Sequence, residues 1–160
     1  MKILGIDPGS QALGYGILET LPGGPKSCDS GTLRTSSTLD LCERLLLIHR
    51  EIERLCGDHR PDVVAVETAF YHKNARSTLI LGHVRGVVLL AARQAGLDVA
   101  EYAPREVKMA VTGHGHAAKE QVAFMVRRLL GLAETPASDA ADALAVALCH
   151  WHRSRLRVLV

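Results

Sequence analysis

Apolar residues fall in two patterns along this chain: short runs without polar interruption, and longer stretches where they recur every three or four positions. Residues 2–7, KILGID, form the first run and predict a buried strand that ends in an acid. YGILET (15–20) predicts a second strand, reached through a tight glycine-containing turn. LPGGPKS (21–27) has the composition of a turn, and CDSGTLRT (28–35) predicts a third strand. Three consecutive strands joined by tight turns suit an antiparallel meander.

The pattern then changes period. Ser37-x-x-Asp40 has the form of a capping box, and Leu41, Leu45, Ile48, Ile52 and Leu55 follow on one helical face. Gly57 is the expected stop. VVAVE (63–67) has no polar alternation, as expected of a central strand covered on both faces, and it too ends in an acid. TAFYHKN (68–74) is a loop, 75–95 a long helix and LDVAEYA (97–103) a strand. Pro104 opens a short helix to about Val111, and TGHGH (112–116) is a glycine-rich loop. Residues 117–131 are helical, with Val122, Met125, Val126, Leu129 and Leu130 on one face. Thr135-Pro136 has the form of an N-cap and first helical residue for an alanine-rich helix over 136–152, followed by a short basic tail over 153–160. The order β-β-β-α-β-α-β-α-α-α predicts an α/β domain, a mixed sheet with helices on both faces.

Length adds one constraint: 160 residues suffice for a single domain with a real core. The net charge of +2 points only weakly to nucleic acid, but the basic residues cluster in HKNAR (72–76) and HWHRSRLRV (150–158). Cys28, Cys42, Cys56 and Cys149 form no C-x-x-C pair, so reduced thiols in the cytoplasm are expected rather than zinc or disulfides. Asp7 interrupts the N-terminal apolar run, which argues against a signal peptide. The longest uncharged apolar run, 86–92, is too short to cross a membrane.

The candidate chemistry lies in the acids. Asp7 is followed by Pro-Gly-Ser with no lysine in the loop, so the phosphate cradle of nucleotide-binding P-loops is absent. Asp139 and Asp142 are three apart and project from one side of the last helix, whose continuation along that side is apolar. Two readings of each acid stay open on residues alone: turn, strand-end and helix-dipole roles, or a shared site. Taken together, two strand-end acids and two helix acids are what a divalent-metal site needs, because Mg²⁺ takes hard oxygen ligands. His114 and His116 lie in a glycine-rich loop without an acidic or cysteine neighbour, which favours substrate contact over metal binding.

Those residues carry a resemblance. GIDPGSQALGYG, VAVETAFYHKNARSTLILGHVRGV, REVKMAVTGHGHAAKEQVAFMV and DAADALAVALCH are similar, in order and almost end to end, to the motifs of the RuvC family of Holliday junction resolvases. The resemblance implies an RNase H-like fold built on a mixed five-stranded sheet, a homodimer, and Mg²⁺-dependent cleavage of four-way DNA junctions. It implies two Mg²⁺ per site, with Mn²⁺ able to substitute, and partnership with a branch-migration complex of RuvA and RuvB. Carried over by position, Asp7, Glu67, Asp139 and Asp142 are the metal-binding catalytic acids. Lys108 and Lys119 fall near the scissile phosphate and backbone, and Phe70 matches a base-stacking aromatic. Tyr71, Lys73 and Arg76 join the expected DNA contacts. Gly82 and Gly86, four apart on the helix 75–95, are expected at a dimer contact. Two other classes are weighed against this one. An actin-like or sugar-kinase ATPase needs two such domains around its nucleotide, and 160 residues hold one. A branched-DNA-binding module that does not cut would have no use for all four acids.

Overall fold

The computed structural model describes residues 1–68 and 74–158, with side chains described as far as Arg155. Its sheet has five strands in the order β3-β2-β1-β4-β5. β1 (Lys2–Asp7), β2 (Ala12–Leu21) and β3 (Gly24–Arg34) form the antiparallel meander, while β4 (Val63–Glu67) and β5 (Asp98–Tyr102) extend it in parallel from β1. Successive side chains on a strand face opposite sides. Accordingly Leu4 and Ile6 of β1 join Val64 and Val66 of β4 in one core, while Ile3, Val63 and Ala65 join the other. Ile48, Ile52 and Leu55 of α1 (Leu41–His59) and Val84, Val88 and Ala91 of α2 (Ala75–Gln94) complete the first core. The second is closed by α3 (Pro104–Thr112), α4 (Lys119–Leu130) and α5 (Ser138–Val158). Helices therefore cover both faces, as the element order predicts.

Several boundaries differ from the sequence expectation. The stretch 21–27 is mostly strand: only Pro22 and Gly23 form the turn, and Gly24, at φ +120°, opens β3. Pro25 is tolerated because β3 is an edge strand, where a missing N–H breaks no interior ladder. The cap of α1 is Asp40, not Ser37. Asp40 Oδ1 accepts the Glu43 N–H at 2.8 Å, and Glu43 Oε2 accepts the Asp40 N–H at 3.1 Å. Gly57 does not stop α1. The helix runs to His59 and ends where Arg60 turns left-handed (φ 48°), ahead of Pro61, which disfavours helical geometry in the residue before it.

The last helix starts at Ser138 rather than Pro136, with the Ala137 carbonyl accepting the Ala141 N–H at 2.8 Å. It also continues through the expected basic tail to Val158. Arg153 pairs with Glu106 of α3, and the Arg155 guanidinium lies 5.1 Å from the centroid of the Trp151 ring, so the basic residues extend the helix. Positive charge at a helix C-terminus is also favourable to the helix dipole. Among the described residues only α2 is long and apolar enough, by length and composition, to cross a membrane. Its Val84, Val88, Ala91 and Ala92 are buried in the core, and its Arg85 donates to Glu101 of β5 at 2.9 Å.

Candidate active site

Strand register brings the first two acids together. Ile6 lies beside Val66 in the parallel pair, so Asp7 and Glu67, one residue further, end neighbouring strands. By alternation both project to the face covered by α5. β1 stops at Asp7 because Pro8 has no N–H to continue the ladder.

The sheet surface brings α5 close to those acids. Gly5 lies opposite Gly16, and Asp7 opposite Gly14. A Cβ on Gly5 would sit 2.2 Å from the Ala143 carbonyl oxygen, and one on Gly14 2.0 Å from that of Asp139. One on Gly16 would meet the Leu144 side chain at 2.7 Å. Glycine inside a strand costs stability unless another backbone approaches closely. Here three of them form a trough in which the first turns of α5 lie directly on the sheet, and Asp139 and Asp142 face the strand-end acids.

Asp7 and Glu67 feel burial and the neighbouring acids. Burial, then the charge of Asp142, pushes the Asp7 carboxyl up to about 6, with Asp139 adding to the rise and Lys119 opposing it. Burial, then Asp7 and Asp142, pushes Glu67 up to about 7, against Lys119 and Lys108. Lys119, first residue of α4, donates from Nζ to Asp142 Oδ2 at 3.1 Å, which raises its ammonium. Its side chain is 70% exposed, so this ion pair is worth at most about 1 kcal/mol and gives way readily to a stronger cation or a phosphate. Arg34 at the end of β3 stands 3.5 Å from Asp139 Oδ2.

Among the described residues no three His, Cys, Asp or Glu side chains converge on one closed metal cage. The donor set is nonetheless of the hard-oxygen kind. Mg²⁺ commonly uses one or two carboxylates and fills its remaining positions with water and substrate phosphate. Among the described residues, four acids against the two directly contacting cations, Lys119 and Arg34, leave net negative charge for a divalent ion to neutralise.

The other sequence candidates divide. Lys108 lies on α3, close enough for its charge to stabilise ionised Glu67. Arg76 is exposed in the first turn of α2, its N–H bonded to Asn74 Oδ1 at 2.9 Å. Phe70, Tyr71 and Lys73 lie outside the described residues. His114 and His116 lie between α3 and α4 and belong to no metal-binding group among the described residues. Sequence reasoning missed Arg34. Its signal is pairing: Arg34 is the register partner of Ala12, just past the Asp7 loop. Gly14 falls in the expected turn, whereas Gly5 and Gly16 lie inside predicted strands, where glycine signals close backbone approach.

A family model described as "Crossover junction endodeoxyribonuclease RuvC" matches residues 3–150. The chain belongs to the RuvC family. A RuvC crossover junction endodeoxyribonuclease of Halorhodospira halophila is 53% identical over 152 residues, covering 94% of this chain and 90% of that protein. One from Syntrophomonas wolfei is 47% identical over 157 residues, covering 98% and 91%. Thermus thermophilus RuvC, solved in complex with a Holliday junction substrate, superposes with a TM-score of 0.92 at 40% identity, covering 98% of this chain and 96% of that one. The fold is thus the RNase H-like one of the RuvC nucleases, and neither the ATPase nor the non-cutting module is favoured.

Proposed function

We propose that this chain resolves four-way DNA junctions, as a crossover junction endodeoxyribonuclease dependent on Mg²⁺. One observation carries the catalytic part: Asp7 and Glu67 at adjacent strand ends face Asp139 and Asp142 across the glycine trough. When bound, Mg²⁺ supplies Lewis acidity that activates water and stabilises the leaving oxygen of a phosphodiester, and a pair of ions can divide those tasks. Mn²⁺ offers similar oxygen coordination and is the expected substitute. Asp7, Glu67, Asp139 and Asp142 are the residues that would hold the ions. Asp7 and Glu67, half-buried at the ends of adjacent paired strands, are placed by the sheet before DNA arrives. Lys119, released from Asp142, turns its ammonium toward the phosphodiester, and Lys108 neutralises charge on the same side. The expected ends are a 5′-phosphate and a 3′-hydroxyl that ligase can rejoin.

The same reading takes Phe70, Tyr71, Lys73 and Arg76 as junction contacts, and a homodimer as the working unit. Gly82 and Gly86 support the dimer, since a Cβ on either meets nothing within 4 Å among the described residues. They are not there to pack on the sheet. Flanked by Leu79 and Leu90, 66% and 54% exposed, they leave an apolar face open to another helix. A partner complex of RuvA and RuvB, and a cytoplasmic setting, complete the proposal.

The deciding experiment incubates the chain with a synthetic four-way junction and with plain duplex, each with and without Mg²⁺. Junction-selective cutting that needs the ion is expected, and Asp7→Asn is expected to bind junctions but lower cutting at least 1000-fold. Cutting by Asp7→Asn at a rate close to the parent's would remove Asp7 from the site.

A further inference from the structure

Beyond the acids, a second basic feature lies on the opposite side of the Asp7 loop. A cleft of about 420 Å³ lies between that loop, α1 and α2, lined by Ser10, Gln11, Arg44, Arg76 and Ser77. Two guanidinium-bearing residues contribute to it from different helices, and among the described residues neither pairs with a carboxylate in a salt bridge. Arg44 Nη1 instead donates to Ser10 Oγ at 3.4 Å, and its Nε donates to the Asp40 carbonyl at 3.4 Å, both long bonds. Among the described residues, the five hydrogen-bond donors on each guanidinium are thus only partly used. Leu81 lines both this cleft and the one that contains Pro8 and Glu67, so the two are neighbours.

The loop that joins them is firmly placed. Thr35 Oγ1 donates to the Ser10 carbonyl at 2.8 Å, and the Thr35 N–H to that of Gln11 at 3.0 Å. Ser10 is three residues from Asp7, so their backbones are at most about 11 Å apart. A strand whose scissile phosphate lay over the acids would carry neighbouring phosphates within that reach.

We infer that Arg44 and Arg76, with the Ser10 and Ser77 hydroxyls, form a phosphodiester-binding pocket for the DNA strand being cut, a few nucleotides from the scissile phosphate. The chemistry fits: a guanidinium fork matches two phosphate oxygens, and hydroxyls add neutral donors. With Lys108 and Lys119 on the α5 side, the strand would be gripped on both sides of the acids. The inference rests on the proposed nuclease reading and extends it to Arg44, Ser10 and Ser77.

The test measures junction binding across a salt series in chelator, using the full chain and a synthetic four-way junction. A second arm replaces single phosphates near the cut with uncharged methylphosphonates. Arg44→Gln is expected to weaken binding about 3- to 10-fold at moderate salt and to lower the slope of log K against log [salt] by about 1 per subunit, the value for one lost phosphate contact. Arg44→Lys should recover most of the slope but not the full affinity. One methylphosphonate position should weaken the parent yet leave Arg44→Gln unaffected, a coupling that mere support of the Ser10 loop would not produce. If Arg44→Gln melts early, exposed Arg76→Gln carries the same test. An unchanged slope, or the absence of any such position, overturns the pocket while leaving the nuclease reading intact. A parent chain that ignores four-way junctions altogether fails at the earlier reading instead.

Discussion

Asp7 and Glu67 are placed where ionisation is costly, and that cost is measurable. Their carboxyls are raised to about 6 and about 7, so in metal-free protein at pH 8 both are held ionised against burial and mutual repulsion. The sign follows from linkage. Between the ordinary carboxylate range and these raised values the folded state binds more protons than the unfolded one, so stability falls as pH rises through that window. Below about pH 4 both states are protonated and the penalty disappears. In chelator at pH 8, Asp7→Asn and Glu67→Gln should therefore each be more stable than the parent by about 1–3 kcal/mol, a rise of about 2–4 °C in Tm per kcal/mol. The gain should shrink steadily toward pH 4.5. Thermal melts at a series of pH values check this, and a gain that stays constant with pH would remove the electrostatic cause. Adding Mg²⁺ should raise the parent's Tm and leave Asp7→Asn nearly unmoved, because a ligand that binds only the folded state stabilises it. Lys119→Ala acts differently: it removes a cation that offsets the acids, so metal-free stability should drop slightly while single-turnover cutting falls strongly.

The closeness of α5 to the sheet depends on glycines, and an added methyl group tests it. In Gly5→Ala the new Cβ would fall 2.2 Å from a backbone oxygen of α5, an atom no rotamer change can move. The helix or strand must shift, at a cost of about 1–3 kcal/mol for overpacking, and the shift carries Asp139 and Asp142 away from Asp7. Gly5→Ala should thus lower Tm and reduce cutting by more than it reduces junction binding, read from melts and paired binding and cutting assays. Gly23→Ala, in the open β2–β3 turn, is the control and should do little. This contrast also shows what the sequence could and could not convey. Strand β4 was legible from its unbroken apolar run and the face of α1 from its apolar periodicity, since both report burial directly. Asp7 and Glu67 were legible as strand-end acids, and the family motifs gave them partners. The start of β3 was hidden because Gly and Pro signal turns, while an edge strand tolerates them. The true cap of α1 was hidden because Ser37 and Asp40 both suit an N-cap, and the choice is made by the neighbouring bonds. The contact of Arg34 with Asp139 spans 105 positions and follows only from strand pairing.

At the scale of the whole molecule, a four-way junction offers two equivalent strands, and a two-fold dimer offers two equivalent sites. Leu79, Gly82, Gly86 and Leu90 share one face of α2 and, with Leu45 of α1, line an apolar cavity of about 480 Å³ that opens outward. Because a Cβ at Gly82 or Gly86 has nothing to strike among the described residues, a larger residue there should leave the folded subunit intact. It should even favour the helix, since glycine costs about 1 kcal/mol relative to alanine in a helix interior. A monomer contact and a dimer contact therefore predict opposite outcomes. If the face is closed by a second copy, Gly86→Leu should sediment as a monomer at concentrations where the parent is a dimer, while its helical content and subunit folding persist. Its cutting should change in kind as well as rate. The parent should place two nicks within one bound complex, so linear duplex products appear without a lag. Gly86→Leu, meeting the junction one subunit at a time, should accumulate singly nicked junctions that remain joined. A cruciform plasmid separates the cases, because one nick relaxes it and reabsorbs the cruciform, whereas paired nicks linearise it. If Gly86→Leu still sediments as a dimer and linearises the plasmid like the parent, the dimer contact lies on another face of the molecule.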